Sequence, residues 1–259
     1  MAAPAQETPF PGGTAQATTD LPAPPAPGIP FIDLTVRNPQ NGREVAFSLQ
    51  LLLLLTALSL APSIIILMTS FLRISVVLDF IKRALSLQAV PPTQVLMGIS
   101  LFMTLFIMWP TFSTIYEKAL RPLSAGEVNV ETAYHEAEAP LRDFMYTQMR
   151  ASPAANDNIR LFMAMARLER PARLGDVPTW VLIPAFILNE LTVAFKIGIL
   201  LFIPFIVIDM VVASALMSMG MIMLPPVMIS MPFKLILFVL VDGWGLLTGQ
   251  LFRSFGLGG

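Results

Sequence analysis

No cysteine occurs in the 259 residues. That absence excludes disulfides, zinc–thiolate sites and thiol catalysis together. Histidine occurs once, as His135, so a histidine-cluster metal site is excluded and a histidine-based triad has a single candidate. Charge is scarce: 13% of residues are charged, against about 25% in an ordinary soluble domain. The net charge of −1 offers no electrostatic basis for binding nucleic acid. With most cofactor and nucleophile chemistry closed off, neither an enzyme nor a cofactor protein is expected. Apolar groups fill the space instead, 55% of the chain at a mean hydropathy of +0.72. Such a chain meets lipid or buries most of its surface against partners.

Residues 1–44 are rich in Ala, Pro, Gly and Thr, with few large apolar groups before Pro30-Phe-Ile-Asp-Leu34. That composition cannot offset the entropy of ordering, so a disordered arm is expected. The start has neither the basic region nor the apolar core of a secretory signal. Either a signal has been removed or the first apolar segment takes its place.

Between Glu44 and Arg73 no residue is charged. The core of this stretch, Leu51 to Met68, approaches the roughly 20 residues that cross a bilayer as a helix, and Pro62 should kink it. A polar hinge is expected from Arg73 to Gln88, carrying Arg73, Asp79, Lys82 and Arg83. Pro91-Pro92 then opens a second uncharged run past Trp109 to Tyr116. Three basic residues in a short connection place it on the cytoplasmic side. The expectation is a first apolar hairpin over 45–116.

From Glu117 to Asp176 the composition changes to eight Lys/Arg and nine Asp/Glu. Apolar residues recur there at helical spacing: Val130, Ala133, Tyr134 and Ala137; Leu141, Phe144, Met145 and Met149; Ile159, Phe162, Met163 and Ala166. A small helical, water-facing insert is expected over 117–176, outside the cytoplasm by alternation of sides.

A second apolar hairpin is expected over 177–259. Up to Phe252 its only charges are Glu190, Lys196, Asp209, Lys234 and Asp242. A charge at mid-bilayer costs about 2.5–3.5 kcal/mol on insertion scales, so these five should face other subunits, a lumen or the membrane surface. Glu190 and Lys196 are six apart, out of register for a helical pair. The fold class is therefore all-α: a membrane-associated protein of two long apolar helical hairpins flanking a small helical extracytoplasmic insert.

Within the second hairpin, seven of the sixteen methionines fall between Met210 and Met231. The densest part, Met217-Ser-Met-Gly-Met-Ile-Met-Leu-Pro-Pro226, is closed by a double proline. Thioether side chains are unbranched and polarizable, so a cluster of them makes an apolar but deformable surface. Two blander readings stand beside this one. Methionines at helical spacing are often ordinary core, and thioethers also suit copper(I), although no His or Cys joins them here. The Gly- and Pro-bounded bend favours a deformable gasket. A proton path through Glu190 or Asp209, in a conventional multispanning solute or proton transporter subunit, is the alternative class, since acids in membrane helices often mark such paths. Gly245-Leu-Leu-Thr-Gly249 has the small-xxx-small spacing that lets helices approach closely.

Several long stretches resemble one family: Thr69-Ser-Phe-Leu-Arg-Ile-Ser-Val-Val-Leu78, Pro91-Pro-Thr-Gln-Val-Leu-Met-Gly98, Phe106-Ile-Met108, Ile203-Pro-Phe-Ile-Val-Ile-Asp209 and Pro232-Phe-Lys-Leu-Ile-Leu-Phe-Val-Leu-Val-Asp-Gly-Trp244. They resemble the FliP/SctR family of type III secretion export-gate proteins, in its flagellar branch. The resemblance implies a pore-forming, non-enzymatic subunit of the bacterial inner membrane and flagellar basal body. It implies a homo-oligomer of about five copies in a helical ring, joined by FliQ-like and FliR-like gate subunits and served by FlhA-like and FlhB-like export components. Unfolded flagellar proteins would be its substrates. It also implies a conical assembly that rises above the membrane plane. By the same resemblance Met219, Met221, Ile222 and Met223 form the pore gasket, with Ile222 interrupting a methionine run, and Phe144, Phe162 and Glu190 are subunit contacts.

Overall fold

A computed structural model describes residues 42–88, 90–150, 152, 155–169, 171, 174–221 and 223–256. Residues 1–41 of the arm and Ile222 lie outside the described residues. Every regular element among those described is helical. The chain divides into two compact units, Met1–Leu53 and Leu54–Gly259. Of the first unit, the described residues form the start of helix α1 (Gly42–Leu67). Beyond Glu44 helix α1 is uncharged, and it carries Pro62 within it; Leu58, Leu60 and Ile64 to Ile66 are exposed.

In the second unit, the stretch expected as a polar hinge is a helix, α2 (Phe71–Ala84), and it lies at the centre of the packing. The reason is readable in its spacing. Ile74, Val77, Leu78 and Ile81 recur at three and four positions and are all buried, as one face of a 3.6-residue helix requires. Arg83 and Asp79 take the opposite face as an exposed pair 2.7 Å apart, of a kind that contributes little to stability.

Helix α3 (Thr93–Ile115) starts directly after Pro92, because proline suits the entry to a helix and not its interior. One π-helical turn, Tyr116–Leu120, carries it into α4 (Arg121–Ser124). The insert then folds as α5 (Val130–Arg150) and α6 (Ala155–Met165). At the start of α5, the Asn129 side chain accepts a hydrogen bond from the Thr132 N–H at 2.8 Å, satisfying an otherwise free first-turn donor.

Helix α7 (Thr179–Ser218) has 40 residues and contains Pro184 and Pro204. At 1.5 Å per residue it is about 60 Å long, about twice a hydrocarbon core. The chain ends in α8 (Pro226–Leu240) and α9 (Gly243–Ser254), which meet at a 66° bend. Asp242 at that bend is left-handed, with φ +51°, and its carboxylate accepts from the Gly245 N–H.

Two apolar cores result. One gathers α2, α3, the later part of α7, α8 and α9; Ile74, Leu78, Phe205, Phe238 and Leu251 are buried in it. The other holds the insert on the first turns of α7 through Met145, Met149, Ile159, Met163, Leu182 and Phe186. Among the described residues three helices are long and apolar enough to cross a membrane, and the bent α8–α9 pair counts as a fourth if taken as one span.

Candidate functional site

The methionine stretch is the exposed connection between α7 and α8. Helix α7 stops because Gly220 turns left-handed at φ +75°. The Met221 N–H then reaches the Leu216 carbonyl at 3.0 Å and the Gly220 N–H reaches the Met217 carbonyl at 3.1 Å. Those two bonds satisfy carbonyls that a helix end leaves free, in the arrangement for which glycine is favoured. Pro225 and Pro226 open the next helix. Between the two ends Met219, Met221 and Met223 face outward, Met223 at 98% exposure. Exposed thioethers on a short, well-anchored turn form a deformable apolar tip. Ile222, expected among them, lies outside the described residues.

The charges behind this tip correct the expectation that all five face outward. Lys234 on α8 is 2% exposed. Its ammonium donates to Asp209 Oδ2 on α7 at 2.6 Å, to Ser86 Oγ at 3.0 Å and to the Ala84 carbonyl at 3.2 Å. Its three donors are thus all occupied, and it caps the end of α2 while tying α7 to α8. The Ser230 hydroxyl donates to the other oxygen of Asp209. Asp242 serves the α9 start, and of the five only Lys196 is exposed without such a tie.

A second buried site lies further up α7. Glu190 is fully buried, and Arg73 of α2 donates to it twice, Nε to Oε2 at 2.8 Å and Nη2 to Oε1 at 2.6 Å. The remaining Arg73 donors reach the Ser254 carbonyl at 2.7 Å, its hydroxyl at 3.1 Å and Gln148 Oε1 at 3.3 Å. The guanidinium also stacks on the Phe255 ring, 4.0 Å from its centre. One arginine therefore joins α2, α5, α7 and the end of α9. A planar fork with five donors suits that task, where the point charge of a lysine would not.

A third cluster fastens the insert. Arg142 donates to Thr179, to Tyr146 and to the carbonyls of Gly175 and Val177, and Thr179 donates to Glu138. Burial outweighs the opposing Arg142 charge and pushes the Tyr146 hydroxyl above its ordinary pKa, so the phenol stays protonated at neutral pH.

Of the residues expected as subunit contacts, Phe144 and Phe162 pack against the second core and Glu190 is buried on α7. Glu190 is buried against Arg73 inside the chain and presents no exposed surface to a second copy. Phe144 is half-buried on α5, edge-on to Phe186 at 6.1 Å, and lines an open cleft of about 540 Å³ with Ile107, Gln148 and Phe255. Phe162 is half-buried on α6 against the second core. Along α7 the 29 positions from Glu190 to Met219 correspond to about 43 Å. Arg73, Gln148 and Ser254 escaped the sequence reading. The usable signal was Arg73 beside the buried stripe of α2, but nothing local named its partners.

The model described as the FliP family matches residues 54–251. The chain belongs to the FliP family. It is 66% identical over 245 residues to the flagellar biosynthetic protein FliP of Treponema pallidum (strain Nichols), covering 94% of this chain and 89% of that one. The FliP of Treponema denticola is 64% identical over 247 residues, 95% and 90% of the two chains. That of Bacillus subtilis (strain 168) is 51% identical over 218 residues, 84% and 95%. The matched span holds α2 to α8 whole, and with them Arg73, Glu190, Asp209, Lys234 and the methionine loop.

Proposed function

We propose that this FliP-family chain serves flagellar biosynthesis as a pore-forming core subunit of the type III protein export gate. It would conduct unfolded flagellar proteins across the inner membrane at the basal body, with the Met219–Met223 loop as a hydrophobic gasket and without catalysis. The observation that carries this reading is the exposed tip: Met219, Met221 and Met223 lie outward beyond a helix end closed by the Gly220 and Met221 N–H bonds. Apolar contact is non-directional, so methionines from neighbouring copies can exclude water and ions and still part around chains of many sequences. A single copy has one sector of such a seal. About five copies, arranged in a helical ring with FliQ-like and FliR-like subunits, would complete it, with FlhA-like and FlhB-like components delivering substrate.

Two further features support the reading. Helix α7 is about twice the hydrocarbon thickness, so it cannot stand upright in a bilayer with both ends at the surface. Glu190 and Asp209, the acids a proton carrier would use, are both held in ion pairs with Arg73 and Lys234, which suits architecture better than carriage. Native mass measurement on the chain purified from membranes with its gate partners tests the proposal. A ring-sized assembly of several copies is expected, and a monomer or simple dimer would sink it in favour of the transporter.

A further inference from the structure

A separate feature lies on the side of the molecule where α9 runs past the middle of α7. A cleft of about 390 Å³ opens between them, within the range of about 300–1,000 Å³ typical of ligand pockets. Its shape follows from small residues. Pro204 leaves the Leu200 carbonyl without its helical donor. On the other wall Gly245, Leu246, Gly249, Gln250 and Arg253 share one face of α9. Gly245 is glycine for an internal reason, since a Cβ there would lie 2.2 Å from the Asp242 carboxylate. Gly249 has no such reason: a Cβ would meet nothing within 4 Å. The slot is walled by Leu200, Phe205, Phe238 and Leu246, and no acid lines it. At one end stands Arg253, exposed, with no ionic partner among the described residues, beside the Gln250 amide.

We propose that this slot binds one acyl chain of an anionic glycerophospholipid, with the lipid phosphate on Arg253 and Gln250. The apolar walls and the single unpaired cation are complementary to such an amphiphile. A free phosphate would leave the walls uncovered. A purely apolar partner surface would cover the walls but leave the Arg253 guanidinium unpaired. Guanidinium and phosphate match as donor fork and acceptor, and the acyl chain covers surface that is otherwise wet.

The test uses the full-length chain in membranes containing phosphatidylglycerol with a photoreactive group on its acyl chain. Labelled peptides are mapped, and exposed α1 serves as the reference for ordinary lipid contact. Label is expected on the α7 peptide around Pro204 and on α9 in excess of α1. Gly249→Leu, whose Cβ has open space and whose side chain would occupy the slot, should abolish the excess. Arg253→Gln should reduce it about tenfold, the effect of losing a charge-assisted hydrogen bond. Equal labelling of α1 and α9, or labelling unchanged in both variants, would overturn the proposal. So would a partner polypeptide cross-linked at Gly249 in the assembled complex.

Discussion

Arg73 and Glu190, 117 positions apart, share two hydrogen bonds of 2.8 and 2.6 Å, and neither side chain is more than 2% exposed. Removing one member of a buried pair leaves the other as an uncompensated charge, which destabilises by about 3–5 kcal/mol. Arg73→Met and Glu190→Gln are therefore expected to lower the melting temperature of the detergent-solubilised chain, with Arg73→Met the worse because it also orphans the Ser254 carbonyl and Gln148. The double variant Arg73→Met/Glu190→Gln should lose clearly less than the two single losses added together. A double variant whose loss equals the sum of the two single losses would show that the pair does not act as a unit.

Lys234 and Asp209 form a milder case. Lys234 is buried, but the Asp209 side chain is 33% exposed, so water can solvate the carboxylate left behind. Lys234→Met is expected to destabilise less than Arg73→Met and to loosen α8 selectively. Hydrogen exchange should rise in α8 and at the end of α2, where the Ala84 carbonyl loses its donor, while the α5–α6 insert stays protected.

Gly198 lies where α7 packs against Phe80 of α2. A Cβ there would lie 2.6 Å from the Cγ of Phe80, an atom near the root of its side chain that cannot simply swing away. Gly198→Ala is expected to destabilise by about 1–3 kcal/mol, the usual scale of overpacking. Gly249→Ala, with open space around it, should be close to neutral in the same melt.

Gly220 tests the turn itself. Its φ of +75° is unfavourable for a residue with a Cβ by about 1–2 kcal/mol. Gly220→Val should strain the turn, displace the methionines beyond it and lower the melting temperature by a few degrees. Slowed export of flagellar proteins and a raised background leak are the expected readouts.

The residues disclose some of this protein directly and hide the rest. The all-helical class and the long apolar runs are plain, because an uncharged run of twenty residues or more has few other outcomes. The insert is plain too: Met145, Met149, Ile159 and Met163 recur at helical spacing and are buried together. The charges of α2 read as a hinge, whereas its stripe of Ile74, Val77, Leu78 and Ile81 makes it a buried helix. The ion pairs were out of reach for a different reason. Rules of i, i+3 and i+4 describe one helix, whereas Arg73–Glu190 and Asp209–Lys234 each join two. The turn at Gly220 was signalled by glycine and a double proline, but its exposure depends on tertiary packing.

The account rests most heavily on the methionine tip. Replacing Met219, Met221 and Met223 together with Ala removes the thioethers and keeps the turn, since none of them anchors it through a side chain. Cells carrying this variant in an assembled gate should leak ions and small solutes, read as a fall in membrane potential and entry of a normally excluded dye. Unchanged permeability, with the assembled complex still recovered at its normal mass, would contradict the gasket.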